Sequence, residues 1–213
     1  MNIDCGLFLS FEGIEGAGKT SNLQHAKAIL EASGKTVVVT REPGGTEVGE
    51  KIREVLLDPC LPSMHSDTEL LLMFASRAEH YQNKILPALI AGDWVLCDRF
   101  TDASFAYQGG GRTINISRIA ALENWVLGEF RPSKTFLFDL PVKVGLSRAK
   151  ARGAADRIEQ EEADFFERIR NCYLKRATEE PERFSVIDAS QSIDVVKRQL
   201  EKAVERLLCS HVG

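Results

Sequence analysis

Apolar positions recur along the chain with two different periods, and the alternation between them outlines the fold. Short runs of apolar or β-branched residues fall at 7–11 (LFLSF), 36–40 (TVVVT), 94–97 (WVLC), 135–140 (TFLFDL) and 184–187 (FSVI). Runs of this length and continuity predict strands, and the β-branched run 36–40 predicts one buried on both faces. Between them, apolar residues return every three to four positions. This predicts helices over 19–32, from the 42–45 loop to about 57, and over 68–91, 101–107, 116–127, 142–150, 161–178 and 193–208. Ser33-Gly34 and Gly92 are the stop signals of the first and third of these. Strands separated by helices predict an α/β fold: three layers, with a five-stranded parallel sheet between helices. The chain shows no repeat, low-complexity tract or long linker, so residues 1–213 read as one domain.

In such a sheet, ligands collect beyond the carboxyl ends of the strands. Three polar segments follow predicted strands and should converge there: the glycine-rich loop 13–20, Arg41-Glu42-Pro43, and Asp98-Arg99. The loop, Gly13-Ile14-Glu15-Gly16-Ala17-Gly18-Lys19-Thr20, matches GxxxxGK[ST] between a strand and a helix. Its glycines let backbone N–H groups curl around phosphate oxygens, and the helix N-terminus adds its dipole. Lys19 would reach the β- and γ-phosphates of a bound triphosphate, and Thr20 would ligate Mg²⁺. The sheet is therefore expected to be of the P-loop NTPase type.

Composition narrows the classes. A net charge of -4 and a pI near 5.7 give no basic stripe for nucleic acid. Five scattered cysteines without a CxxC pair argue against a disulfide framework or zinc site and for free thiols in a reducing compartment, so a cytoplasmic location is expected. The N-terminal stretch has no basic n-region and does not read as a signal peptide, and no apolar run reaches the length of a membrane span.

P-loops also serve switches and motors. A guanine-reading NKxD is missing; the one Asn-Lys pair, Asn83-Lys84, lies within a predicted helix and is followed by Ile-Leu. A small-molecule kinase needs an acceptor pocket and cations to offset the charge on the phosphoryl group. The segment 147–159 supplies Arg148, Lys150, Arg152 and Arg157, interrupted by Gly153-Ala154-Ala155. It is expected to act as a small lid that closes over the phosphates. Arg99 would fork onto an acceptor phosphate, and Asp98 would hold Mg²⁺ directly or through water.

Six segments, in order between residues 11 and 162, resemble those of the bacterial thymidylate kinase family: FEGIEGAGKT, TREPGGTEVGEKIRE, TELLLMFASRAEH, LCDRFTDASFAYQGGGR, FLFDL and RGAADRIEQE. The resemblance implies transfer of phosphate from ATP-Mg to dTMP, giving dTDP, by a homodimer. It implies ATP binding by residues 13–20 and Arg148. It sets Glu15 near the acceptor sugar's 3'-hydroxyl, Glu42 and Pro43 beside the thymine ring, Arg53 and Arg99 near the monophosphate, and Arg77 on the base edge. Ser104, Tyr107 and Gln108 would surround base and deoxyribose, with Tyr107 crowding a 2'-hydroxyl. Phe74 would stack on the base, although Met73 stands at the four-residue spacing before Arg77 that some members use. Gly16, where other members carry arginine, implies that a lid arginine serves the phosphates: Arg152 as first choice, Arg157 as second. Lys19, Arg99 and that arginine would form the catalytic set.

Overall fold

Each apolar run becomes a strand, and each strand is shifted by no more than a residue from its expected bounds. The strands are β1 (Phe8–Glu12), β2 (Val37–Arg41), β3 (Trp94–Asp98), β4 (Lys134–Asp139) and β5 (Phe184–Asp188). All pair in parallel, in the order β2-β3-β1-β4-β5. The structure is a computed structural model and describes residues 6–151 and 156–211. β1 lies at the centre, between β3 and β4, so the loop that follows it opens at the point where strand order reverses.

Alternation along the strands splits the core between the two faces. Leu9 and Phe11 pack with Leu23 and Leu30 of α1 (Lys19–Ala32) and with Leu200 of α9 (Ile193–His211). Phe8 packs with Val95, Ile85 and Leu89 on the other face. Leu89 of α4 (Leu86–Ile90) and Leu127 of α6 (Ile116–Leu127) belong to that second cluster; the remaining helices are α2 (Glu47–Leu57), α3 (Ser66–His80) and α5 (Thr101–Ser104), and α7 (Val142–Lys150) and α8 (Ala163–Glu179), which follow β4. Thr46 caps α2 by accepting the Gly49 N–H.

Two helices depart from expectation. The stretch 68–91 is interrupted by a π-helical turn at Tyr81–Ile85. Pro87, just beyond it, has no N–H to continue the regular ladder, and the wider turn absorbs the gap. The helix expected to end at 107 runs on as a π-helical segment, Phe105–Gly111, through three glycines. Those glycines serve close approach. A Cβ at Gly110 would lie 2.9 Å from the Arg168 carbonyl of α8, and one at Gly111 2.4 Å from the Phe165 ring.

Of the expected lid, α7 ends at Lys150, and the chain resumes at Asp156, whose carboxylate accepts the N–H groups of Ile158 and Glu159. Residues 152–155, expected to carry part of the lid, lie outside the described residues.

Candidate active site

The glycine-rich loop needs left-handed backbone at Gly16 (φ 72) and Gly18 (φ 82), which glycine adopts without a Cβ penalty. Ile14 and Ala17 turn their side chains into the core, which leaves Glu15, Gly16, Gly18 and Lys19 of the loop to line the cavity. Lys19 is buried, and its Nζ donates to the carbonyls of Gly13 and Ile14, each at 3.0 Å. Burial first, and then repulsion from Arg99, lower its pKa to about 8, against the pull of Asp98 and Glu15. Thr20 Oγ1 donates to Asp98 Oδ2 at 3.3 Å. A hydroxyl from the first turn of α1 and a carboxylate from the end of β3, both on the cavity wall, are the oxygen donors that Mg²⁺ takes alongside substrate phosphates and water.

Against the loop, and joined to it through Glu15, stands a knot of charge. Arg99 has left-handed backbone (φ 71), which is costly for a residue with a Cβ. Its guanidinium donates to Glu15 Oε1 at 2.7 Å and to the Gly13 carbonyl at 3.0 Å. It also lies 4.7 Å from the centre of the Tyr107 ring. The Tyr107 hydroxyl meets both Glu15 oxygens, at 2.7 and 2.8 Å. Burial alone would lower the Arg99 pKa, but Tyr107 and Glu15 outweigh it and raise the value. Arg99 therefore stays cationic.

A second wall is built by α3. Arg77 is 2% exposed, and its guanidinium donates to Glu42 Oε2 (2.8 Å), Ser104 Oγ (3.0 Å) and the Phe100 carbonyl (3.1 Å). Glu42 also contacts His80 Nδ1 at 3.0 Å, and His80 Nε2 meets Thr40 Oγ1 at 2.6 Å. The Glu42–Pro43 bond is cis. The Pro43 carbonyl accepts from Arg53. Burial, then the neighbouring Arg41, lowers the pKa of Arg53.

One cavity of about 600 Å³ joins these parts. Glu15, Gly16, Gly18, Lys19, Thr20, Glu42, Pro43, Arg53, Arg77, Asp98, Arg99, Ser104, Tyr107, Gln108 and Arg148 all line it. Of the expected loop residues, Gly13, Ile14 and Ala17 are not among those lining it, Ile14 and Ala17 being part of the core, and two expected residues outside the loop also do not line it. Phe74 sits with Leu70, Phe105 and Ile119 in an apolar cluster, its ring 4.6 Å from the Arg77 guanidinium. The turn of α3 gives the cavity wall to Met73 instead. Arg157 turns away from the cavity to Glu69 Oε2 (2.7 Å) and the Leu56 carbonyl (2.8 Å), drawn by a buried carboxylate. Arg152 lies outside the described residues.

Sequence reasoning overlooked several supporting groups. Glu12 is fully buried and accepts from the Phe100 N–H and the Tyr173 hydroxyl, both at 2.7 Å. Burial, then the nearby Asp102 charge, raises its pKa to about 8. A carboxylate inside an apolar strand was the available signal. Tyr173, His80 and Glu69 gave weaker ones, because their partners come from distant segments.

A phosphate loop that faces an arginine-lined wall across one cavity is what a P-loop nucleotide kinase requires, and this chain is such a kinase. A model of the thymidylate kinase family matches residues 11–200. A thymidylate kinase from Alcanivorax borkumensis is 57% identical over 202 residues, covering 95% of this chain and 97% of that protein. One from Pseudomonas entomophila is 54% identical over 203 residues, with 95% and 97% covered. The crystal structure of thymidylate kinase from Ehrlichia chaffeensis superposes with a TM-score of 0.76 at 32% identity, covering 94% of this chain and 99% of that one. The chain belongs to the thymidylate kinase family.

Proposed function

We propose that the cavity carries out the family's reaction, phosphorylation of dTMP to dTDP with ATP as donor, in a single in-line step. The observation that supports this most directly is the junction of Lys19, the Thr20–Asp98 pair, the Arg99–Glu15 knot and the Arg77 wall around one cavity.

The loop's N–H groups and Lys19 take the triphosphate, and Lys19 leaves the Gly13 and Ile14 carbonyls to do so. Arg148, whose Nη1 is held by the Ala189 carbonyl at 3.0 Å, lies on the donor side. Thr20 and Asp98 would hold Mg²⁺, which neutralises phosphate charge when bound. Arg99 orients the acceptor phosphate and stabilises the charge that spreads over the moving phosphoryl group. The acceptor oxygen is already ionised at neutral pH, so no general base is needed. Met73 covers the thymine face while Arg77 and Ser104 read its edge. Tyr107, fixed by Glu15, fills the space of a 2'-hydroxyl and favours deoxyribose. Arg152 is the lid arginine proposed for the phosphates.

The working unit is proposed to be a homodimer. Exposed Leu71 on α3 and Trp125 on α6, 55% and 82% exposed, support a shared face on these two packed helices. The free thiols of Cys60, Cys97, Cys172 and Cys209 fit a cytoplasmic setting. No described helix is long and apolar enough to cross a membrane.

A coupled ADP-release assay with ATP and Mg²⁺ tests the reading, comparing dTMP, dUMP, UMP, dCMP, dAMP and thymidine. Preference for dTMP is the expected result. Preference for another acceptor would keep the phosphate chemistry and reject the base-wall assignment.

A further inference from the structure

We propose that Glu69 is a positioning residue that ties the acceptor pocket to the returning segment of the lid, an inference that rests on the dTMP kinase reading. Glu69 lies in the first turn of α3 and is 1% exposed. Its Oε1 accepts from Gln108 Nε2 at 2.8 Å, and its Oε2 from Arg157 Nη2 at 2.7 Å. Arg112 bridges both oxygens, through Nε at 3.4 Å and Nη2 at 3.2 Å, and pairs with Glu161 through Nη1.

The three donors come from different parts of the site. Gln108 lines the cavity beside Tyr107. Arg157 stands between Asp156 and Ile158, both on the cavity wall, and its backbone N–H also reaches the Leu57 carbonyl at the end of α2. One buried carboxylate thus sets the orientation of an acceptor-pocket amide and anchors the segment that re-enters after the lid. Two guanidinium groups meet two carboxylates here, Glu69 and Glu161, so the charges balance. Burial would raise the Glu69 pKa, but Gln108, Arg112 and Arg157 reverse this and keep it ionised. Through Gln108 on the acceptor side and Arg157 on the lid side, the same carboxylate couples the two regions.

The test uses the full chain with Glu69→Gln, Arg157→Met, their double variant and Arg157→Lys. KM for dTMP, KM for ATP, kcat and Tm are measured for each. The expected result is a rise in the dTMP KM on the order of tenfold for Glu69→Gln and for Arg157→Met. The double variant should be no worse than Glu69→Gln alone, and Arg157→Lys should recover most of the loss. If Glu69→Gln fails to fold, Arg157→Met and its lysine rescue carry the same test. Variants that lose Tm but keep wild-type KM values overturn the proposal, as does full additivity in the double variant. A wild-type enzyme that ignores dTMP overturns the underlying reading and this assignment with it.

Discussion

Replacing Gly145 with alanine sets two effects of opposite sign against each other. Gly145 lies inside α7, where alanine would favour the helix by about 1 kcal/mol. The same Cβ would stand 2.6 Å from the Glu15 carbonyl oxygen and 2.9 Å from Ile14 Cδ1. The contact is reciprocal, since a Cβ on Gly16 would lie 2.0 Å from the Gly145 carbonyl. Ordinary contact begins near 3.4 Å, so the loop and helix must separate by about 0.8 Å. The obstructing atom is backbone, which has no rotamer to change. Overpacking of this kind costs about 1–3 kcal/mol, so the net effect is a loss of up to about 2 kcal/mol. For a chain of this size that lowers Tm by several degrees, at about 2–4 °C per kcal/mol. The displaced atoms belong to the phosphate loop, where a misplacement near 1 Å costs on the order of 100-fold in rate. Gly145→Ala should therefore melt earlier and lose about 10- to 100-fold in kcat/KM for ATP, read by thermal denaturation and the ADP-release assay. A variant that melts later than wild type, with kcat/KM for ATP within about twofold, would refute the close-approach argument and leave only the helix gain.

Three further outcomes follow from the same geometry. Lys19, with a pKa lowered to about 8, is charged below that value and loses its proton above it, so kcat/KM for ATP should fall as pH rises through about 8; a flat profile from pH 7 to 9.5 would contradict the burial argument. Glu12 has its pKa raised from 4.5 to about 8, so the folded state holds a proton that the unfolded chain has already released. Its contribution to stability is intact below pH 4.5 and is lost as pH rises to about 8, and Glu12→Gln should flatten that slope in denaturant melts at pH 5, 6.5 and 8. Met73→Ala should raise the dTMP KM with little change in Tm, whereas Phe74→Ala should cost about 3–5 kcal/mol of stability. The reverse pattern in paired melts and kinetics would return Phe74 to the cavity wall.

How much of this was legible in the chain depends on how local each determinant is. The five strands read correctly because consecutive apolar runs such as TVVVT need no partner to be recognised. The phosphate loop read for the same reason: its glycines, Lys19 and Thr20 are adjacent. The α3 wall of the cavity was less legible, because one residue's rotation of α3 separates Met73 at the cavity from Phe74 in the core. The run past Tyr107 was not legible because the reason for Gly110 and Gly111 lies on α8, more than fifty residues along the chain. Arg157 looked like a phosphate cation because nothing in its neighbourhood announces Glu69, 88 positions earlier. Glu12 and Tyr173 meet across 161 positions, and only the folded chain pairs them.

The strand order has a consequence for inhibition and its evasion. β2 and β3 deliver Glu42, Pro43 and Arg99 on one flank of β1, while β4 leads into α7 with Arg148, and β5 leads to Ala189, on the other. On the proposed reading, acceptor and donor determinants are thus written on opposite halves of the sheet and meet only at the central loop. Substitutions on one flank can retune one substrate while leaving the other's contacts intact, so a molecule that occupies a single half can be escaped by changes in that half alone. A molecule that spans both halves through the loop would force compensating changes on two separate flanks, or in the loop backbone, where Gly16 and Gly145 leave no room for a side chain.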